Sequence, residues 1–286
     1  MMRTTALVCL LLVMAFTVHA QGELPIDFSP GLPPLEGGYQ GEMAYQDPSI
    51  QVAITSGKEY ATDYWVARIT IAHPSQLRTV SAAGFDSSRV MNGRALASRV
   101  QAVFALNGDY FSYINDGYLI RQGELYRDLP GGRRDVLLID DRGDFYIALR
   151  ADQEVIAPYR EMDIVNSFNF GPALVVGGER VEKYWDNNNA ANKGRQRMGI
   201  AQVKAGTLEY VVIATAGPSA RQPGMTLDQF SRLFAKEGVE NAYNLDGGDS
   251  TMMMFREHYI NADHAATMRA ISDIIYFATT STSLAD

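Results

Sequence analysis

The sequence predicts an α+β protein, a single domain in which a mixed, largely antiparallel sheet carries a few packed helices. Three observations lead there. Apolar residues alternate with polar ones at period 2 in segments such as Tyr64-Trp65-Val66-Ala67-Arg68-Ile69-Thr70-Ile71, and that period places successive side chains on opposite faces of a sheet. Glycine turns separate such segments at hairpin spacing. Two stretches space their apolar residues as a helix does.

Taken in order, Tyr64 to Ile71 forms the first strand, with Val52-Ala53-Ile54 as its partner. Arg94 to Ala102 reads as a helix with Leu96 and Val100 four apart, running into a buried strand Val103-Phe104-Ala105-Leu106 and then a sharp turn at Asn107-Gly108. Hairpins follow over Gly117 to Arg127, turning at Gln122-Gly123, over Val136 to Leu149, turning at Asp141-Arg142-Gly143, and over Ala173 to Val181, turning at Gly177-Gly178. Glycine supplies the positive φ that short hairpin turns require. Met198 to Lys204 and Leu208 to Thr215 flank Ala205-Gly206 as another pair, the second so apolar that both its faces must be buried. A helix then opens at Thr226 with Gln229 at capping-box spacing, presents Leu227, Phe230, Leu233 and Phe234 on one face, and stops at Gly238.

The N-terminus fixes compartment. Arg3 precedes an apolar run from Ala6 to Phe16 and then Val18-His19-Ala20. This is the pattern of a secretory signal peptide, residues 1–20, cleaved near Ala20; the run is shorter than the roughly 20 residues that span a bilayer. The expected product is secreted or resident in a cell envelope, with no membrane span once the signal is removed. Residues 21–45, with Pro25, Pro30, Pro33 and Pro34 among glycines, read as an extended leader, and 46–280 as the domain. Cys9, the one cysteine, lies inside the signal. The mature chain therefore has no thiol for a disulfide, a zinc–thiolate site or a cysteine nucleophile. A formal net charge of −8 opposes a nucleic-acid partner, which requires a basic surface to displace counterions. Any phosphate must be held by a few local cations and backbone amides.

Two stretches share one arrangement, an apolar strand that delivers polar side chains to a glycine turn: Leu106-Asn107-Gly108-Asp109-Tyr110-Phe111 and Leu245-Asp246-Gly247-Gly248-Asp249-Ser250-Thr251. The second carries two carboxylates and two hydroxyls, and polar clusters on turns mark function more often than packing. His73, His258 and His264 lack the i, i+4 spacing of a zinc helix, Met252-Met253-Met254 reads as core or pocket lining, and Asn187-Asn188-Asn189 beside Tyr184 and Trp185 reads as an exposed polar loop. There is no G-x-S-x-G elbow and no P-loop.

Four motifs, in order, resemble those of the phosphodiester glycosidase family, whose best-known member removes N-acetylglucosamine from a phosphodiester. Asn107-Gly108-Asp109-Tyr110-Phe111 resembles Asn-Gly-Gly-Phe-Phe; Phe170-Gly171-Pro172-Ala173-Leu174-Val175 resembles Phe-Gly-Pro-x-Leu-Val; Arg195-Gln196-Arg197-Met198-Gly199 resembles Arg-Thr-Ala-Ile-Gly. Asn244-Leu245-Asp246-Gly247-Gly248-Asp249-Ser250-Thr251-Met252 resembles Asn-Leu-Asp-Gly-Gly-Gly-Ser-Ser-Thr-Met, one residue shorter here. With Arg269-Ala270-Ile271 as the family's closing arginine-containing strand, the resemblance runs from Val66 to Ile275. Asp109 and Asp249 each stand where the family has glycine, adding negative charge beside a site expected to hold phosphate.

The resemblance implies a hydrolase that cleaves a sugar-1-phosphodiester to free sugar and a phosphomonoester, acting on a small-molecule or polymeric glycan phosphodiester. Glycosidic cleavage builds positive charge on the anomeric carbon, which a carboxylate stabilises; Asp246 is the candidate. A phosphate monoester leaves as a stable anion and needs cation and amide contact more than proton help. Arg195, a loop cation by spacing alone, takes that role through the motif match, since a guanidinium forks onto two phosphate oxygens. Asn107 completes the expected catalytic set, and Asp109, Asn244, Gly247, Gly248, Ser250 and Thr251 the expected substrate contacts. The sequence requires no cofactor, is compatible with a divalent cation, and leaves any metal ligands and the oligomeric state unassigned. Two rival readings stand: cleavage at phosphorus, and a non-catalytic envelope glycan-binding or exopolysaccharide-assembly module with the same fold, which Asp109 and Asp249 favour.

Overall fold

The computed structural model describes residues 29–184, 191–219, 221–261, 268–281 and 283. The signal segment with its cleavage point, the first part of the leader, Trp185, the Asn187–Asn189 loop and His264 lie outside the described residues.

Among the described residues the fold is predominantly sheet with three short α-helices, broadly α+β. An eight-stranded sheet runs in the order Ala44–Gln46, Ile50–Glu59, Thr62–Ile71, Glu209–Thr215, Met198–Gln202, Asn241–Leu245, Ala173–Val176 and Glu179–Arg180. A five-stranded sheet runs His258–Tyr259, Met253–Phe255, Phe104–Asn107, Asp273–Phe277 and Leu77–Ser81. A three-stranded sheet, Ile164–Phe168, Val136–Asp140 and Phe145–Ala148, and the hairpin Gly117–Arg121 with Glu124–Leu129 complete it. The expected single mixed sheet is thus corrected to several sheets. Every paired strand among the described residues is antiparallel. Half of these pairs are joined by short hairpins, which can only produce antiparallel pairs.

Period-2 patterning makes four layers. In the large sheet, Val212 and Ala214 face the five-stranded sheet, while Val211 and Ile213 face the Leu227–Lys236 helix. In the five-stranded sheet, Ile275 and Phe277 face the large sheet, while Ile274 and Tyr276 face the Gly93–Arg99 helix. The near-continuous apolar run in Glu209–Thr215 is therefore buried on both sides by a helix and a second sheet, with no parallel pairing needed. The Leu227–Lys236 helix carries the expected capping box: Thr226 Oγ1 accepts from Gln229 N at 3.2 Å, and Gln229 Oε1 accepts from Thr226 N at 3.0 Å. The first helix is shorter than predicted, ending at Arg99, and its N-cap is Asn92, whose side chain accepts from Arg94 N.

Residues 29–45 pack on this body. Gly31 N–H donates to Val100 O at 3.2 Å, Leu32 bridges Thr279, and Tyr45 is buried with its hydroxyl donating to Asp47 at 2.7 Å.

Candidate active site

The Asn241–Leu245 strand ends the large sheet's contribution, and the chain crosses through Asp246-Gly247-Gly248 to enter the five-stranded sheet at Met253. Phe104–Asn107 ends, and Asp273–Phe277 begins, at the same place. A cavity of about 130 Å³ opens at this junction, lined by Asn107, Gly108, Tyr110, Tyr113, Asp246, Ser250, Arg269 and Asp273 among others.

Asp246 is largely buried, and Arg269 Nη2 donates to its Oδ2 at 2.9 Å. Arg269 Nε donates to Ser250 Oγ at 2.5 Å, and the same guanidinium lies 5.4 Å from the centroid of the Tyr110 ring. Half of the Arg269 side chain, 48%, remains exposed, so the cation faces both the carboxylate and the solvent that a ligand would enter from. Burial pushes the Asp246 carboxyl above its usual range, while Ser250, Arg269 and the Gly247 amide pull it back.

Asn107 organises the turn. Its Nδ2 donates to Asp246 O at 2.8 Å and to Gly108 O at 3.1 Å, and its Oδ1 accepts from Met252 N at 3.0 Å. The buried amide thus pins both ends of the 246–252 crossing, a positioning role in place of the catalytic one expected of it. Gly108 is required by space: a Cβ there would sit 2.3 Å from the Asp273 carboxyl carbon. Gly248 adopts φ +60°, which favours glycine, and its N–H donates to Gln196 O at 3.1 Å. That amide is engaged within the protein, which removes it from the expected phosphate contacts, and the Gly247 amide is turned to the Asp246 carboxylate.

The remaining sequence-derived candidates fall in different places. Arg195 is exposed and does not line the cavity; its backbone bridges Met225, with N–H to O distances of 3.1 and 3.0 Å. The segment it starts does reach the site, through Gln196 O. The guanidinium on Asp246 is Arg269, in the closing motif. Asn244 is buried outside the cavity, with Nδ2 donating to Gly171 O at 2.7 Å. Thr251 is buried, and its Oγ1 has no hydrogen-bond partner among the described residues. Asp249 is exposed, and its carbonyl accepts from Arg269 N at 3.0 Å.

Asp109 does not face the cavity. It is buried, its Oδ1 takes Arg121 Nη2 at 2.8 Å and its Oδ2 takes Asn169 N at 2.7 Å. The substrate contact expected of it is corrected to an internal ion pair, and its charge is matched inside the protein. The acidic feature that favoured a non-catalytic module is therefore neutralised there. His73 caps a short turn, with Nδ1 2.7 Å from Ser75 Oγ, and Met252, Met253 and Met254 are core. Among the described residues no group of three or more His, Cys, Asp or Glu is placed to hold a metal ion.

Three features went unassigned from sequence. Asp273 lines the cavity directly before an apolar strand, the mirror image of the strand-then-polar pattern that marked Asp246. Tyr110 and Tyr113 stack at 4.3 Å between centroids and 12° between planes at the mouth, Tyr110 held at φ +67° and Tyr113 55% exposed. Arg121, a charged residue in the apolar run Tyr118-Leu119-Ile120, is wholly buried.

The phosphodiester glycosidase family matches residues 100–278, an interval that holds Asn107, Asp246, Arg269 and Asp273. The SPbeta prophage-derived uncharacterized protein YomE of Bacillus subtilis (strain 168) is 29% identical over 188 residues, 63% of this chain; the chain spans only 28% of that relative's length. The catalytic domain of zebrafish N-acetylglucosamine-1-phosphodiester alpha-N-acetylglucosaminidase, auto-inhibited by its pro-peptide, superposes with a TM-score of 0.65 at 17% identity, over 84% of this chain and 87% of that one. A hypothetical protein from Synechocystis superposes with a TM-score of 0.58 at 14% identity, over 80% and 62%. These two likenesses show the fold, and the family match extends over more than half of the sequence: the chain belongs to the phosphodiester glycosidase family.

Proposed function

We propose that the protein hydrolyses a sugar-1-phosphodiester to free sugar and a phosphomonoester, with Asp246 and Arg269 as the reacting pair. The observation that carries this reading is the Asp246–Arg269–Ser250 constellation. A mostly buried carboxylate is held at 2.9 Å by a guanidinium that is itself half open to solvent at the mouth of a cavity.

Cleavage of the bond from the anomeric carbon to the phosphate oxygen leaves positive charge on that carbon. The Asp246 carboxylate is placed to meet it as nucleophile, base or electrostatic partner. Negative charge grows on the departing phosphate, and Arg269 is the cation at the cavity, a planar fork suited to phosphate oxygens. Ser250 Oγ, already engaged by Arg269, fixes the fork's direction. The Tyr110–Tyr113 stack offers an apolar wall for a sugar ring at the mouth. Asn107, Gly247 and Gly248 hold the turn that carries Asp246.

The setting proposed is outside the cytoplasm, on the strength of the signal pattern in residues 1–20. No helix among the described residues is long and apolar enough to cross a membrane. The test is release of sugar and phosphomonoester from a panel of sugar-1-phosphodiesters, with Asp246→Asn and Arg269→Ala beside the wild type. Turnover that both variants abolish supports the reading; variants that retain wild-type rates overturn the site assignment.

A further inference from the structure

Behind the cavity two carboxylates converge on one guanidinium. Arg121 Nη2 lies 2.8 Å from Asp109 Oδ1 and 3.3 Å from Asp273 Oδ2, and all three side chains are withdrawn from solvent. One positive charge cannot balance two negative ones in a low-dielectric interior, so such a cluster retains a proton that isolated carboxyls would release. The contacts decide which carboxyl keeps it. Asp109 has the shorter ion pair and a 2.7 Å bond from Asn169 N; Asp273 has the longer one and a 3.3 Å bond from Ser272 Oγ.

Only one of the two carboxyl residues borders the cavity. Asp273 lines the cavity with Asp246, and Asp109 does not. The backbone of Gly108 joins the two residues: its carbonyl accepts from the Asp246 N–H at 3.4 Å, and its N–H donates to the Asp273 carbonyl at 3.0 Å. The absent side chain of Gly108 leaves the space that the Asp273 carboxyl occupies.

We propose that Asp273 is the proton donor of this site, giving its proton to the phosphate oxygen that departs from the sugar. The proposal rests on the sugar-1-phosphodiester reading above. The bond from the anomeric carbon to oxygen breaks, its electron pair stays on the phosphate oxygen, and that oxygen takes the Asp273 proton. Water supplies the new oxygen on the anomeric carbon and yields a proton to Asp246, which releases it to solvent as Asp273 is reprotonated. The products are the sugar and a phosphomonoester monoanion, with no other reactant.

Burial, opposed by Arg121 and reinforced by Asp109, pushes the Asp273 carboxyl up to about 7, where an acid can both hold and give a proton near neutrality. Its charged and titratable surroundings are Arg121 from the Gly117–Arg121 strand and Asp109 from the turn after Asn107. Across the cavity are Asp246, Arg269 and the tyrosines Tyr110 and Tyr113. From the Gly93–Arg99 helix, Arg99 bonds the carbonyl of Ser81, the register partner of Asp273. Arg127 lies farther out, within the fields of Asp109 and Arg121.

The test is the pH profile of kcat and kcat/KM on a sugar-1-phosphodiester that the wild type turns over. The wild-type rate is expected to fall above about pH 7. Asp273→Asn is expected to lose about a hundred- to ten-thousand-fold in kcat together with that alkaline limb, and to recover with a leaving phosphate made more acidic by an aryl ester. Asp109→Asn leaves Arg121 to Asp273 alone and moves the limb to lower pH. An Asp273→Asn enzyme with the wild-type profile shape and no leaving-group dependence overturns the proposal. Infrared spectra of the wild type against Asp273→Asn supply a readout free of turnover. A protonated-carboxyl C=O band below pH 7 that the substitution removes supports the assignment, and its absence from the wild type ends it even if no sugar phosphodiester is cleaved. Absent turnover with that band present counts against the sugar-phosphodiester reading alone.

Discussion

Arg269 Nη2 and Asp246 Oδ2 stand 2.9 Å apart, with Arg269 Nε on Ser250 Oγ at 2.5 Å, so one guanidinium fixes two side chains of the crossing turn and still reaches the cavity mouth. Since Arg269 and Ser250 offset the upward pull of burial on Asp246, removing the cation raises the Asp246 carboxyl further. Asp246 acts as a carboxylate, so the acid limb of the pH–rate profile is expected to move to higher pH in Arg269→Ala, with kcat down about a hundredfold or more. Arg269→Lys restores the charge without the fork and is expected to recover only part of the rate. Steady-state kinetics across pH measure both.

Arg195→Ala tests the placement of the cation independently. Arg195 is exposed and lines no part of the cavity. Its removal is expected to change kcat/KM and stability by no more than about twofold, the usual scale of a surface substitution within ±0.5 kcal/mol. A loss comparable to that of Arg269→Ala would return the phosphate role to Arg195.

Stability should report Asp273 without any substrate. Its carboxyl stands at about 7 in the folded protein against 3.8 ordinarily. Between those values the folded state keeps a proton that the unfolded chain has released, so this group's contribution to stability falls as pH rises through the window and is constant on either side. Asp273→Asn is expected to remove that fall, narrowing or reversing its Tm difference from the wild type as pH rises from about 4 to 7. Thermal melts over that range measure it.

Arg121→Met removes the cation from between Asp109 and Asp273 and also its packing against Phe168, whose ring centroid is 4.3 Å away. Breaking a buried ion pair by deleting one partner costs about 3–5 kcal/mol. The urea midpoint is expected to drop accordingly, and Asp109→Asn in the Arg121→Met background to restore part of the loss.

Much of this was legible in the sequence because it depends on local rules. Period-2 apolar runs, the Gln122-Gly123 turn and the Thr226–Gln229 capping box lie where patterning places them. Asp246 was marked by an apolar strand running into a glycine turn. What patterning misses is what folding brings together. Arg195 and Arg269 are both arginines in family-like motifs, and only the crossing from one sheet to the other sets Arg269 on Asp246. Asp109 reads as a charge added to a phosphate site because its partner, Arg121, is twelve residues away at the end of the Gly117–Arg121 strand. Asp273 follows the closing motif and precedes a core strand, so its sequence neighbours point to packing. The layer count was hidden for a related reason. The run in Glu209–Thr215 declares burial on both faces without declaring that its two covers are a helix and a second sheet.

In the proposed reaction the bond between the anomeric carbon and the phosphate oxygen is the one that breaks, at Asp246 and Arg269. Hydrolysis of a sugar-1-phosphodiester in ¹⁸O-labelled water, with mass analysis of both products, tests it most directly. Label is expected in the anomeric hydroxyl of the free sugar and none in the phosphomonoester. Label in the phosphate, with the sugar oxygen unexchanged, would show attack at phosphorus and contradict the proposed reaction.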